Sequence, residues 1–266
     1  MTLPPDQTYL LVDAHVHLHA CFDLVQFLNS SLENFRDYSR QLALAQPVTG
    51  ALLLAEVSDT NAFDNLVSQQ QQLSQQLLDW EICPTTEAHS LWAKHIAGDS
   101  ILITAGRQVV TQEGIEVLAL ITAASIEEGL SLEDTLEQVD RAGGLPVLPW
   151  GVGKWIGKRG KLVEAQLQAD SPPLFTGDNG GRPGLWPLPD YFQLRPQLPG
   201  SDPLPLPREV NRAGSFGFLT QGALSWSTPG ESLKQILRSP RPLLQDYGRS
   251  LSLWKFVQNQ SLIRIG

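Results

Sequence analysis

The stretch LLVDAHVHLHA, residues 10–20, sets His15, His17 and His19 at alternate positions behind an apolar run and just after Asp13. Side chains along an extended chain alternate with a period of two, so imidazoles at this spacing share one face of a strand. Neutral rings placed this way can converge their lone pairs on one ion, and imidazole suits zinc, iron and related metals. The plainer alternative is a row of polar residues at a strand end, hydrogen-bonded to loop carbonyls.

Other reactive side chains recur where apolar runs stop. Glu56 follows ALLLA, and Arg107 and Gln108 follow a glycine on a strand-like segment from which they can face the same mouth. In GVGKWIGKRGK, residues 151–161, the glycines let backbone approach a ligand, and Lys154, Lys158 and Arg159 supply the charge that a phosphate or carboxylate needs. The Gly-Lys-Ser/Thr ending of a Walker loop is absent, and a solvated basic turn beside Trp150 is the alternative. In TGDNGGRPG, Asp178 could bind metal or act as a base, Asn179 could orient substrate and Arg182 could pair with an anion. Asp-Asn-Gly-Gly is also simply a good turn sequence. Asp202 ends another short apolar stretch in the context Gly-Ser-Asp. Glu87 and His89 would share a face of a strand and offer a further pair of ligands, or lie exposed on a hairpin.

The elements that must position these residues follow from periodicity. An apolar strand is expected over Tyr9–Val16 and another over Ala51–Val57, with a helix between Asn29 and Ala45 capped by Ser30 or Ser31. A glutamine-rich helix should present Leu66, Leu73, Leu77 and Leu78 on one side. Closely spaced strand-like segments from about Glu81 to Thr122 imply antiparallel hairpins, after which LEDTLEQVDRA, LPVLPW, KLVEAQLQA and PPLFT alternate helix and strand. That alternation implies a parallel sheet with ligands at the carboxyl ends of its strands. The proline-rich residues 182–207 carry Leu185, Trp186, Tyr191 and Phe192 and read as an ordered rim loop. ESLKQILRS and SLWKFVQNQSLI read as C-terminal amphipathic helices.

A formal charge of −9 argues against nucleic acid or an anionic membrane as partner, because both would be repelled by the averaged field. Cys21 and Cys83 are too few for a disulfide framework, which favours a reducing compartment. No run approaches the roughly 18 apolar residues of a membrane span, and no secretory leader is recognisable, so a cytoplasmic protein is expected.

The motif VDAHVHLH resembles the first-strand motif of amidohydrolase-like enzymes and of the polymerase and histidinol phosphatase (PHP) family, which are distorted (β/α) barrels with metals at the strand ends. AGRQVVTQEGIEVLALIT resembles the PHP hairpin around Gly-x-Glu, and PGSDPLP its closing Ser-Asp-x-His. Departures accompany these likenesses. Thr-Asp-His is replaced by Ala55, Glu56 and Val57, the Gly-x-Glu carboxylate by the Gln108 amide, and a later His-Pro by Pro149 and Trp150. The closing motif runs on into Pro203 without a second ligand, and no histidine follows His95.

Together these readings predict one domain over residues 1–266, an α/β distorted TIM-like barrel with an antiparallel hairpin excursion. The expected function is metal-assisted hydrolysis of a small anionic substrate, phosphoesterase-like. His15, His17, Asp178 and Asp202 would hold a divalent zinc, manganese or iron ion, and Asp178, Asp202 and Glu56 would be the catalytic carboxylates. Arg107, Gln108, Trp150, Lys154, Arg159, Asn179 and Arg182 would bind substrate. The replaced ligands leave two rivals: a barrel surviving as a ligand- or partner-binding protein, and metal-independent acid/base chemistry by Asp178 and Glu56.

Overall fold

A computed structural model describes residues 7–44, 47–151, 153–169, 173–181 and 188–248. Its elements run β1 (Tyr9–Val16), α1 (Leu24–Gln41), β2 (Thr49–Leu54), α2 (Ala62–Ser68), α3 (Gln70–Gln76), β3 (Trp80–Pro84), β4 (Ser90–His95), β5 (Ser100–Thr104), β6 (Gly106–Val110) and β7 (Glu116–Leu120). Then come α4 (Leu132–Arg141), β8 (Leu145–Trp150), α5 (Lys158–Gln168), β9 (Phe175–Asp178), β10 (Phe216–Gln221), α6 (Pro229–Leu237) and β11 (Gln245–Gly248). Short 3-10 helices at Asp190–Leu194 and Pro207–Asn211 order part of the proline-rich stretch.

The strands form two sheets, and among the described residues no closed barrel exists. One sheet has the order β11-β10-β1-β2-β5-β4-β3 and the other β6-β7-β8-β9. This overturns the expected TIM-like barrel. A barrel of that kind needs a continuous ring of parallel neighbours, whereas only β1–β2, β2–β5 and β8–β9 pair in parallel. The antiparallel hairpins expected after Glu81 do form. They are divided between the sheets, however: β3-β4-β5 extends the first outward beside β2, while β6-β7 opens the second. At their edges the sheets are linked through backbone contacts, a bridge from Glu56 to Arg107 on one side and a segment around residues 197–200 on the other.

Burial follows strand parity. Leu11, Leu52, Leu54, Ile101 and Ile103 face α1 and its Phe27 and Phe35. Leu10, Val12, Ala14, Ala51 and Leu53 face the second sheet, meeting Leu118, Leu120, Val147 and Phe175, and α6 adds Leu233 and Leu237 to this inter-sheet core. On the far face of the second sheet, Val109, Val117 and Leu148 pack on α4 and α5 through Val139 and Val163. Each fully buried side chain of this size contributes about 2 kcal/mol, so the layered arrangement, rather than any one contact, holds the fold.

Two local expectations are corrected. Helix α1 starts at Leu24 because the Asp23 carboxylate accepts the Gln26 N–H at 2.8 Å, whereas Ser31 lies inside the helix with its hydroxyl bonded to the Phe27 carbonyl at 2.7 Å. The glutamine-rich helix breaks at Gln69 into α2 and α3, and Leu78, with a φ of 40°, points into solvent at 88% exposure. Residues 252–263, read as a helix, and 182–187 lie outside the described residues.

Candidate metal centre

Strand β1 delivers the histidines through a break in its own regularity. Its register against β2 slips between Asp13 and Val16, so Val16 joins Leu11 on the α1 side although their parities differ. The bulge turns His15 and His17 toward the second sheet instead of leaving a simple row on one face. His19 stacks on His17 with ring centroids 5.5 Å apart, but its Nε2 is turned away, 2.8 Å from the Pro203 carbonyl oxygen.

Four polar atoms meet at the mouth between the sheets. His15 Nε2 lies 3.1 Å from His17 Nε2, 3.0 Å from Gln108 Oε1 on β6 and 3.6 Å from Asp202 Oδ1. His17 Nε2 lies 3.3 Å from the same Asp202 oxygen. His15, His17 and Asp202 form a group whose ligand atoms all fall within 4.8 Å of one another. A single Nε2 carries either one proton or one lone pair, so His15 cannot satisfy three such neighbours by hydrogen bonding. A cation among them would satisfy all of these lone pairs at once. The donor set therefore fits a metal ion: two imidazoles, one carboxylate and one amide oxygen.

The electrostatics agree. Burial, opposed by Asp202 but reinforced by His17 and Lys154, lowers His15 to about 4, leaving its ring neutral at pH 7. Burial would push Asp202 up, but His15, His17 and Lys154 outweigh it and hold the carboxyl well below the usual range. Lys154 is thus close enough to act on both, while its ammonium pairs with Glu116.

The surrounding chain fixes these groups. Asp202 takes a left-handed φ of 47°; its N–H donates to the His15 carbonyl at 2.8 Å and its Oδ2 accepts the Asn179 amide at 2.9 Å. Asp13, fully buried, accepts the backbone N–H groups of Ser201 (2.8 Å), His15 (3.3 Å) and Gly214 (2.8 Å), tying β1 to the loop that carries Asp202. Gly200 presses on β1 so closely that a Cβ there would stand 2.1 Å from the His15 nitrogen. Asp13 belongs to the motif but carries no expected role in the site, and Gly200 lies outside the expected site residues. The usable signal was an aspartate inside an apolar strand, which must find buried donors.

The remaining candidates are placed elsewhere. One Glu56 oxygen accepts the N–H groups of Ala62 and Phe63 at the start of α2. Arg107 clamps the Thr60 carbonyl at 2.7 Å and the Asn61 amide oxygen at 3.2 Å. Trp150 is buried in the far core and Arg159 reaches the carbonyls of Gly114 and Gly153. Asp178 accepts the Gly180 N–H at 3.0 Å and, after burial, is what raises the Asp246 carboxyl; it is not a member of the histidine group. Arg182 lies outside the described residues.

No family model and no curated protein sequence matches the chain. Among solved structures it is similar to PsfC from Pseudomonas syringae PB-5123, at 13% identity over 96% of this chain and 98% of that one, with a TM-score of 0.56. The chain shares its fold with PsfC. Weaker likenesses are to the lesion-specific endonuclease PfuEndoQ from Pyrococcus furiosus and to an Endonuclease Q complex with a 27-mer duplex bearing an abasic lesion. Identities are 11% and 12% and TM-scores 0.48 and 0.47; 95% of this chain is covered in each case, but only 66% of theirs.

One expectation about partners is corrected. The exclusion of nucleic acid rested on a formal charge of −9 over the whole chain and no longer stands once the site's own surroundings are considered. A net charge averages over the whole surface and does not set the field in one mouth beside Lys154. Among the described residues, no helix is long and apolar enough to cross a membrane.

Proposed function

We propose that the chain is a metal-assisted hydrolase acting on an anionic, phosphoester-like substrate at the mouth between its two sheets. The observation that carries this reading is the convergence of His15, His17, Asp202 and Gln108 within about one ion's reach of each other. His15, His17 and Asp202 would hold a divalent zinc, manganese or iron ion, with the Gln108 oxygen as a neutral fourth donor. Such an ion supplies Lewis acidity and makes water a competent nucleophile near neutral pH.

The chain's own residues do the rest. Asn179 holds Asp202 with one oxygen turned to the histidines, and Asp13 anchors the loop behind it. A single carboxylate against a divalent ion leaves positive charge in the mouth, beside a Lys154 that is paired with Glu116 yet still acts on Asp202, so an anion is drawn there. The likeness of VDAHVHLH to the PHP motif supports the same chemistry.

The test is elemental analysis of protein purified without a histidine tag, followed by titration with manganese, zinc and iron. Phosphomonoesters, phosphodiesters and single- and double-stranded oligonucleotides form the substrate panel. Bound metal that disappears in a His15→Ala/His17→Ala variant, together with metal-dependent turnover of one substrate class, is the expected result. Protein that is metal-free and fails to bind any of the three ions at micromolar concentration overturns it. A second reading, binding without turnover, is favoured by Gln108, whose amide cannot neutralise an ion as a carboxylate would; metal binding with no hydrolysis across the panel would select it.

A further inference from the structure

Glu87, His89 and Glu231 form a second group whose ligand atoms lie within 4.8 Å of one another, separate from the histidine motif. Glu87 and His89 lie in the loop between β3 and β4, and Glu231 sits in the first turn of α6. His89 Nε2 is 3.8 Å from Glu87 Oε1 and 3.7 Å from Glu231 Oε1, too far to hydrogen-bond to either, and it is buried with no hydrogen-bond partner. Two ligands about 2.1 Å from a tetrahedral ion lie about 3.4 Å apart, so the spacing is one that an ion would need to contract only slightly.

Gly230 provides an independent mark. A Cβ at this position would stand 2.8 Å from His89 Nε2 and 2.9 Å from Glu87 Oε2. Its φ is not positive, and a glycine in the first turn of a helix is otherwise unfavourable, so space is what the position requires. Glu87 is preset as a ligand: Oε2 accepts the Gly230 N–H at 2.8 Å and the Ser90 hydroxyl, and Oε1 accepts the Glu231 N–H at 2.8 Å. Lys234 pairs with Glu231 but is also tied to the Gly143 carbonyl at 2.9 Å. Glu231 is half-exposed and can turn toward His89 while Lys234 keeps that second bond. Two carboxylates against one ammonium leave a negative site facing an orphaned imidazole nitrogen.

We propose that Glu87, His89 and Glu231 bind a second divalent transition-metal ion of the zinc class, which cross-links the β3–β4 loop to the start of α6. One imidazole and two carboxylates suit zinc, manganese or cobalt, with water completing the shell at the half-exposed side.

The probe is Co2+ alone, added to apo protein, with stoichiometry read by elemental analysis after dialysis and stability by the thermal midpoint. The His15→Ala/His17→Ala variant isolates this site from the one proposed above. That variant is expected to keep one cobalt equivalent and to gain thermal stability on loading. Adding His89→Ala should abolish both effects, and adding Glu231→Gln, a half-exposed change that spares packing, should weaken binding by at least about tenfold. Absence of cobalt from the double-histidine variant at micromolar concentration overturns the proposal. Binding unchanged by both further substitutions overturns it as well.

Discussion

Asn179 holds one oxygen of Asp202 at 2.9 Å and thereby leaves the other facing His15 and His17. Both residues lie in the connection from β9 to β10, on opposite sides of the 3-10 helix at Asp190–Leu194. Asp202 also sits in the left-handed region, which costs a non-glycine residue about 1 kcal/mol, so the loop spends stability to aim a carboxylate. Orientation of a ligand from behind is worth 10- to 100-fold in metal affinity elsewhere, and that scale sets the first expectation.

Asn179→Ala should lower zinc or manganese affinity by about tenfold while leaving the thermal midpoint of the apo protein nearly unchanged. Isothermal titration of the two proteins measures it. Equal affinities would show that Asp202 needs no such support.

Gln108→Glu should tighten metal binding. Its oxygen is 3.0 Å from His15 Nε2, and a carboxylate there adds a full negative charge beside the ion, for a gain of about 1–2 kcal/mol, or roughly tenfold or more in Kd. Competition with a chelator reads the change directly. Unaltered or weaker binding would place residue 108 outside the ion's reach.

Asp13→Asn tests the anchor. Both Asp13 oxygens accept backbone N–H groups, so an amide must turn a donor toward one of them whichever way it faces. The cost should be about 2–3 kcal/mol in urea-induced unfolding, with metal affinity reduced as the Ser201–Asp202 loop loosens. A variant as stable as the parent would show that the loop is held by other contacts.

Lys154→Met should weaken inorganic phosphate binding to the metal-loaded protein by about tenfold, the loss of one charge near the mouth, with metal content unchanged. Phosphate titration followed by calorimetry separates the two quantities. Loss of metal along with phosphate would instead mean that Lys154 supports the ligand loop.

Local pattern was legible where one residue and its neighbours decide the outcome. The apolar run Tyr9–Val16 gave a strand with those limits, and LEDTLEQVDRA gave helix α4, which Ser131 caps. His15, His17 and Asp202 converge as their motif suggested. What failed was information that resides in pairing. Thr104 and Gly106 are separated by one residue yet belong to different sheets, and nothing in ITAGR announces the change. Strand alternation then turns Arg107 to the Thr60–Asn61 turn and Gln108 to His15, so two residues read as equivalent separate. Glu56 looked reactive because it ends a strand; the short helix after it supplied the N–H groups that occupy one of its oxygens. Helix α1 was expected to start at Ser30 or Ser31, but Asp23 caps it seven residues upstream of Ser30, so the serines fall inside the helix.

The segment around residues 197–202 hydrogen-bonds both to β9 through Thr176 and Asp178 and to β1 through Ala14 and His15. It is a stitch across a seam. Each sheet alone holds only part of the ion's donor set, two imidazoles on one and an amide on the other, and the carboxylate arrives with the stitch. If the proposed ion binds, its capture would report on assembly: a chain whose sheets have formed but not docked would have every donor residue and an incomplete site.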